Sequence, residues 1–375
     1  MYKVFVFDYM HASFLGVARS FLNVWLNSKN HNREFYLGKY VGIINERLRA
    51  YSVPKKFSRT VRSLDDLKFW KASEWSTWLS ISLCVLQGVL PDDFRDHFQL
   101  FVHSMLILSS DHVLESQIPE ANQMLLDFVK GVADLYGPEF CSFNCHSLTH
   151  ASSCVRNWGP LYQYSAFQFE NFNGILLNLF QGSNNVCMEI SNRMNEILAL
   201  TEFAFALPAT EATDFFFSLA GNKKFRQNIV KGGNVIFFGD SKRKFLSRSE
   251  KIILEREGVV VSSICCFNSC FVNRNFYTSQ DNRSKKQCDF VVEVNGDYFV
   301  IRQLFLAGTI PLCFASRLSV SNLDQLNILY KVIRISKELV PLKICNFHSK
   351  FLVNRSDNGT IEIIVRILNN ALVGE

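Results

Sequence analysis

The feature that most constrains this chain is a change of hydrophobic period near residue 232. Before it, apolar residues recur at helical spacing. After it, the apolar runs are short, β-branched or aromatic, and bounded by turn residues. NVIFFG, GVVVSSICCF, DFVVEV, DYFVIRQLF, LNILYKVIRI and TIEIIVRIL all read as strands. VVEV and DYFVI flank Asn295-Gly296, a two-residue hairpin whose turn requires positive φ at both central positions.

The helical part opens at Asp8. Met10, Phe14, Val17, Phe21 and Trp25 follow at steps of three and four, one face of a helix. Tyr2 to Phe7 before it is nearly continuously apolar, the pattern of a strand buried on both faces. Ser63 with Asp66 approximates a capping box, and Pro91 and Pro119 suit first helical turns. Gly137 and Gly159 read as helix stops. The expected class is α+β. Residues 1–30 form a strand–helix piece, 31–205 a helical bundle, 206–231 a linker, and 232–375 a small β sandwich or barrel.

With 375 residues, 48% of them hydrophobic, the chain is long enough for two cores. No apolar run reaches the roughly 18 uncharged residues of a membrane span. The start does not read as a signal peptide, so a nuclear or cytoplasmic protein is expected, neither secreted nor membrane-bound. Eleven scattered cysteines without a CxxC framework point to reduced thiols. The net charge of +6 permits nucleic-acid binding without demonstrating it. Lys242-Arg243-Lys244 and Lys285-Lys286 fall in expected turns and read as solvated surface, with a phosphate or nuclear-import contact as the alternative. There is no glycine-rich phosphate loop and no G-x-S-x-G elbow, so no small-molecule substrate is evident.

Three groups of residues could carry chemistry. Asp8, in DYMH, is a metal ligand or a helix cap. Cys141, Cys145, His146, His150 and Cys154 have zinc-ligand side chains, but all five would share one helix, so zinc is not expected. Glu170 sits between Phe169 and Phe172; it is either a carboxylate favoured near a helix start or a metal ligand or general base.

In order, the segments FDYMHASFLGVARSFLNVWL, KKFSRTVRSLDDLKFWKASEWSTWL, GVLPDDFRDHFQLFVHSMLIL and FCSFNCHSLTHASSCVRNWGPLYQYSAFQFENFNG resemble the C-terminal half of CACTA (En/Spm)-type DNA transposases, with the uncharacterised domain that accompanies them. The shared pattern is D-x-M-H after a strand, W-K-A-x-E among helices, and an H-x-L-x-H helix before a glycine and an aromatic-F-E motif. It covers roughly residues 5 to 200. The resemblance implies a ribonuclease-H-like fold interrupted by a helical insertion, DNA as partner, and strand transfer with two Mg²⁺ or Mn²⁺ ions. Hard oxygen ligands hold such ions about 4 Å apart. By motif, Asp8 matches the second acid and Glu170 the third, with His11, His146 and His150 in support. The family's first acid lies upstream of D-x-M-H, and seven residues precede Asp8 here. The expectation is therefore a fragment without cleavage activity, whose uncovered sheet edge favours self-association. The rival expectation is a non-catalytic DNA-binding or protein-interaction module.

Overall fold

The apolar face that begins at Met10 decides how the helical region packs. In the structure, a computed structural model, residues 6–55, 57, 59–182, 184–206, 229–273, 275–280, 287–324, 328–356 and 360–367 are described. The expected first strand lies mostly outside them; Val6 and Phe7 carry no regular structure. A π-helical segment, Met10–Ala18, runs into α1 (Arg19–Leu26), and Met10, Phe14, Val17, Phe21 and Trp25 are all buried. Around them stand α2 (Val41–Ala50), α3 (Ala72–Leu86), α4 (Asp92–Leu108) and α5 (Gln117–Leu135). Phe21 meets Phe98 of α4 and Phe128 of α5 with ring centroids 6.1 and 5.3 Å apart, and Trp25 meets Phe98 at 5.0 Å. Edge-on and tilted aromatic pairs at these distances add to simple area burial.

After the positive-φ stop at Gly137, the chain breaks into α6 (Phe143–Ser147), a 3₁₀ turn at Leu148–His150, and α7 (Ala151–Trp158). α8 (Ala166–Leu177) and α9 (Val186–Ala206) follow. Short strand β1 (Tyr51–Ser52) lies between α2 and α3 in sequence.

The β-rich region forms two antiparallel sheets. β2 (Ile229–Gly232), β3 (Val235–Phe238), β6 (Ser269–Val272) and β7 (Asn275–Thr278) make the smaller one. The larger runs β1, β12 (Lys350–Arg355), β13 (Ile361–Ile367), β11 (Leu329–Lys343), β10 (Ile310–Asn322), β9 (Asp297–Ala307), β5 (Ser263–Phe267) and β4 (Lys242–Phe245). β8 (Val291–Val294) also pairs with β9. Asn295 and Gly296 join those two strands with φ of 53° and 82°, the turn the sequence requires. The core between the sheets is built from Val235, Phe237 and Tyr277 on one side and Ile301, Leu304 and Leu306 on the other. A helix not foreseen in this region, α10 (Arg248–Arg256), covers the far face through Leu254, against Phe305 and Phe314.

The α+β class is present, but compactness divides the chain differently from the change of period. Residues 1–166 and 230–374 cluster into one unit, and 167–229 into another. The cause lies in backbone pairing: Tyr51 and Ser52 extend the large sheet opposite Asn354 and Val353. The Cys288 N–H then donates to the Val53 carbonyl at 3.0 Å. The β-rich sequence from 232 onward therefore takes a strand from the helical half.

Candidate functional site

Asp8 stands where irregular chain gives way to helix. Its Oδ1 accepts the Met10 N–H at 3.1 Å, and its Oδ2 lies 2.5 Å from Nδ1 of His11. A short carboxylate at a helix start satisfies a backbone donor that has no partner in its own helix. One oxygen thus closes the turn and the other holds an exposed imidazole.

The residues beside Asp8 are fixed from far away in sequence. The Phe7 N–H donates to Sγ of Cys154 at 3.3 Å, across 147 residues. The buried Tyr9 hydroxyl shares a hydrogen bond with Ser165. Gly16, about two turns on, is packed so closely that a Cβ there would meet the Asn144 side chain at 2.8 Å. The D-x-M-H segment is thus flanked by α6, by α7 and by the loop entering α8.

The five zinc-type residues do not share one helix. Ser142 caps α6 by accepting the Cys145 N–H at 3.2 Å, and the 3₁₀ turn at Leu148–His150 breaks the helical phase. Cys145 and Cys154 are buried, whereas Cys141, His146 and His150 are exposed. The two imidazoles lie edge to face, their ring centroids 5.3 Å apart. All eleven cysteines are free thiols. Among the described residues, no group of three or more His, Cys, Asp or Glu side chains is placed to hold a metal ion.

Glu170 is exposed on α8, between Phe169 and Phe172, which are 67% and 47% exposed. It belongs to the 167–229 unit, and Asp8 to the other. An acid in an aromatic run invites the thought of a buried carboxylate in need of a cation, but this one faces water.

Among the described residues, the buried acid of the helical region is Glu74, of the W-K-A-x-E segment, and its role is architectural. Arg62 grips it with two bonds of 2.7 Å, and the Lys71 N–H donates to it at 2.9 Å. Burial alone would raise its pKa; the bonds from Arg62 and Lys71 more than offset this and hold it below the usual carboxylate value. Trp70 packs against Trp75 and Trp78 beside it, at 4.8 and 6.0 Å. Glu74 reaches back to the Lys71 N–H as the acid of a capping box does, but Lys71 lacks the side-chain oxygen that would make such a box legible in the sequence.

No protein-family model, curated protein or solved structure matches this chain. No helix among the described residues is long and apolar enough to cross a membrane.

Proposed function

We propose that the chain is a transposase-derived protein that holds DNA without cutting it. The observation that supports the ancestry is the packing around Asp8. Two stretches that the resemblance covers, D-x-M-H and the segment from H-x-L-x-H into Y-S-A-F, are joined through Phe7–Cys154 and Tyr9–Ser165, whereas Glu170, the acid that the resemblance pairs with Asp8, belongs to the 167–229 unit.

The fit to a two-ion centre is poor. Mg²⁺ and Mn²⁺ favour several hard oxygen ligands, and paired ions need carboxylates that bridge or flank them. Asp8 has His11 as its neighbour, and its two oxygens are already engaged. No step through a metal follows from this arrangement. DNA binding needs none: a protein of net charge +6 is held by phosphate neutralisation, with affinity that falls as salt rises.

The test uses the full chain with labelled duplex carrying family-type terminal repeats. The expected result is saturable binding that weakens steeply between low and physiological salt, with no product in Mg²⁺ or Mn²⁺. Cleavage lost in Asp8→Asn or Glu170→Ala would restore the enzyme reading. Absence of DNA binding at low salt would sink the DNA reading altogether.

A further inference from the structure

The larger sheet carries an irregularity that the Asp8 region does not explain. Along the β9–β10 ladder, Gln303 faces Phe314 and Ile301 faces Ala315, so Arg302 is an extra residue on β9. Such a bulge turns a side chain out of the ordinary alternation. The Arg302 guanidinium is then fixed: its Nε donates to Ser316 Oγ at 3.0 Å, and a terminal nitrogen donates to Gln280.

Arg302 lines a cavity of about 340 Å³ together with Lys242 and Lys244 of β4 and Asp240 from the preceding turn. Lys244 is held at 2.6 Å by Glu250 of α10 and at 3.0 Å by Gln303. An ammonium group has three donors, so those bonds leave one for a ligand. Lys242 is exposed and has no carboxylate partner among the described residues. Ser279 and Asn268 add neutral polar groups to the wall. Three cations, set against Asp240 on the wall and Glu250 bound to Lys244, leave the cavity a positive balance of a single charge. The volume lies at the small end of ligand pockets, larger than one inorganic anion needs.

We propose that this cavity is a binding pocket for a phosphate ester, with Arg302, Lys244 and Lys242 as its cationic donors. The guanidinium, fixed on a strand, offers phosphate its positive charge and the N–H donors not spent on Ser316 and Gln280, and the two lysines act as point charges on the same group. The remaining space accommodates what the phosphate is attached to. The phosphate could belong to a free nucleotide or to a nucleic-acid backbone, and the pocket does not depend on the transposase ancestry.

The full chain is titrated calorimetrically with inorganic phosphate, deoxyadenosine monophosphate, deoxyadenosine and a ten-residue oligothymidylate. Lys242→Glu and Lys244→Met serve as variants, each checked for folding by circular dichroism. Saturable binding of the monophosphate, with none of the nucleoside, is expected. Each variant should weaken it about ten- to a hundredfold, as for loss of a charge-assisted bond. Tighter binding of the oligomer, equally sensitive to the variants, assigns the pocket to a backbone phosphate. Binding of the monophosphate alone assigns it to a free ester. No binding of any phosphate probe, or binding that both folded variants retain, overturns the pocket. Oligomer binding that survives both substitutions overturns it while leaving the DNA reading intact.

Discussion

Two buried acids show how differently the helical and β-rich regions are held. Glu74 finds its partners nearby, Arg62 twelve residues before it and the Lys71 N–H three before. Asp289 finds its partners far away: Lys350 lies 61 residues on and 2.5 Å distant, and the Lys55 N–H comes from 234 residues earlier, at 3.0 Å. The first arrangement is a local cap that forms with its helix. The second exists only once β12, the segment entering β8 and the segment after β1 have come together, so the loop-closure entropy falls on this pair. The difference also lies in solvent. Arg62 is 38% exposed, whereas Lys350 and Asp289 are 3% and 2% exposed.

That comparison can be broken by deleting one cation from each pair. Lys350→Met leaves Asp289 buried and charged and should cost about 3–5 kcal/mol in urea unfolding. Adding Asp289→Asn should recover much of that loss, because the uncompensated charge is then gone. Arg62→Gln should cost less, since water can reach the vacated side of Glu74. Equal losses for the two single variants would show that local and long-range pairs are equivalent here.

Glycines give a second contrast of the same kind, at smaller cost. Gly131 on α5 is required by space: a Cβ would lie 2.7 Å from His97, which is held by the Phe128 carbonyl at 2.8 Å and stacked on the Phe128 ring at 4.6 Å. Gly131→Ala should cost about 1–3 kcal/mol as overpacking, reduced by up to about 1 kcal/mol of helix propensity. His97→Ala in the same chain should relieve the clash. Gly296 is required by its φ of 82°, although a Cβ there would have nothing within 4 Å, so Gly296→Ala should cost about 1–2 kcal/mol with no rescuing partner. Rescue of both, or of neither, would erase the distinction.

What the sequence makes legible follows the same division. The apolar stripe from Met10 to Trp25, the helix stops at Gly137 and Gly159, and the Asn295-Gly296 hairpin are local signals, and each appears in the structure. Ser247 and Glu250 form a capping box just as local, yet strand-like runs on both sides mask α10 in the sequence. The joining of β1 to β12 has no local signal, because two residues after a helix do not announce a partner 300 residues away. For the candidate site, Asp8 is legible as an acid at a helix start, but its bond to His11 and the fastening of its neighbours to Cys154 and Ser165 are not. Arg302 is invisible as a pocket residue, since a bulge is set by the register of two strands and not by the sequence of one.

The smallest expected effect separates the regions by pH. His97 and His103, both on α4, are the buried histidines among the described residues. Burial pushes both below the ordinary histidine value, partly opposed by the Phe128 carbonyl at His97 and by Asp324 at His103. A lowered folded-state pKa means the neutral form is favoured on folding. The stabilisation is therefore complete above about pH 6.5 and is lost as pH falls through the folded-state values. Each histidine can contribute a slope of at most about 1.4 kcal/mol per pH unit within that window. Glu74 and Glu250 have folded-state values below 4.5, so their contributions persist until the medium is more acidic. His97→Phe keeps an aromatic ring against Phe128 and removes one titrating group. All five tryptophans lie between Trp25 and Trp158, so their fluorescence reports the helical region selectively. Urea midpoints followed by that signal should fall from pH 7 to pH 5.5 in the parent chain, and fall less steeply in His97→Phe. An unchanged slope in the variant would remove His97 as a source of the acid sensitivity and leave His103, beside Asp324, to carry it alone.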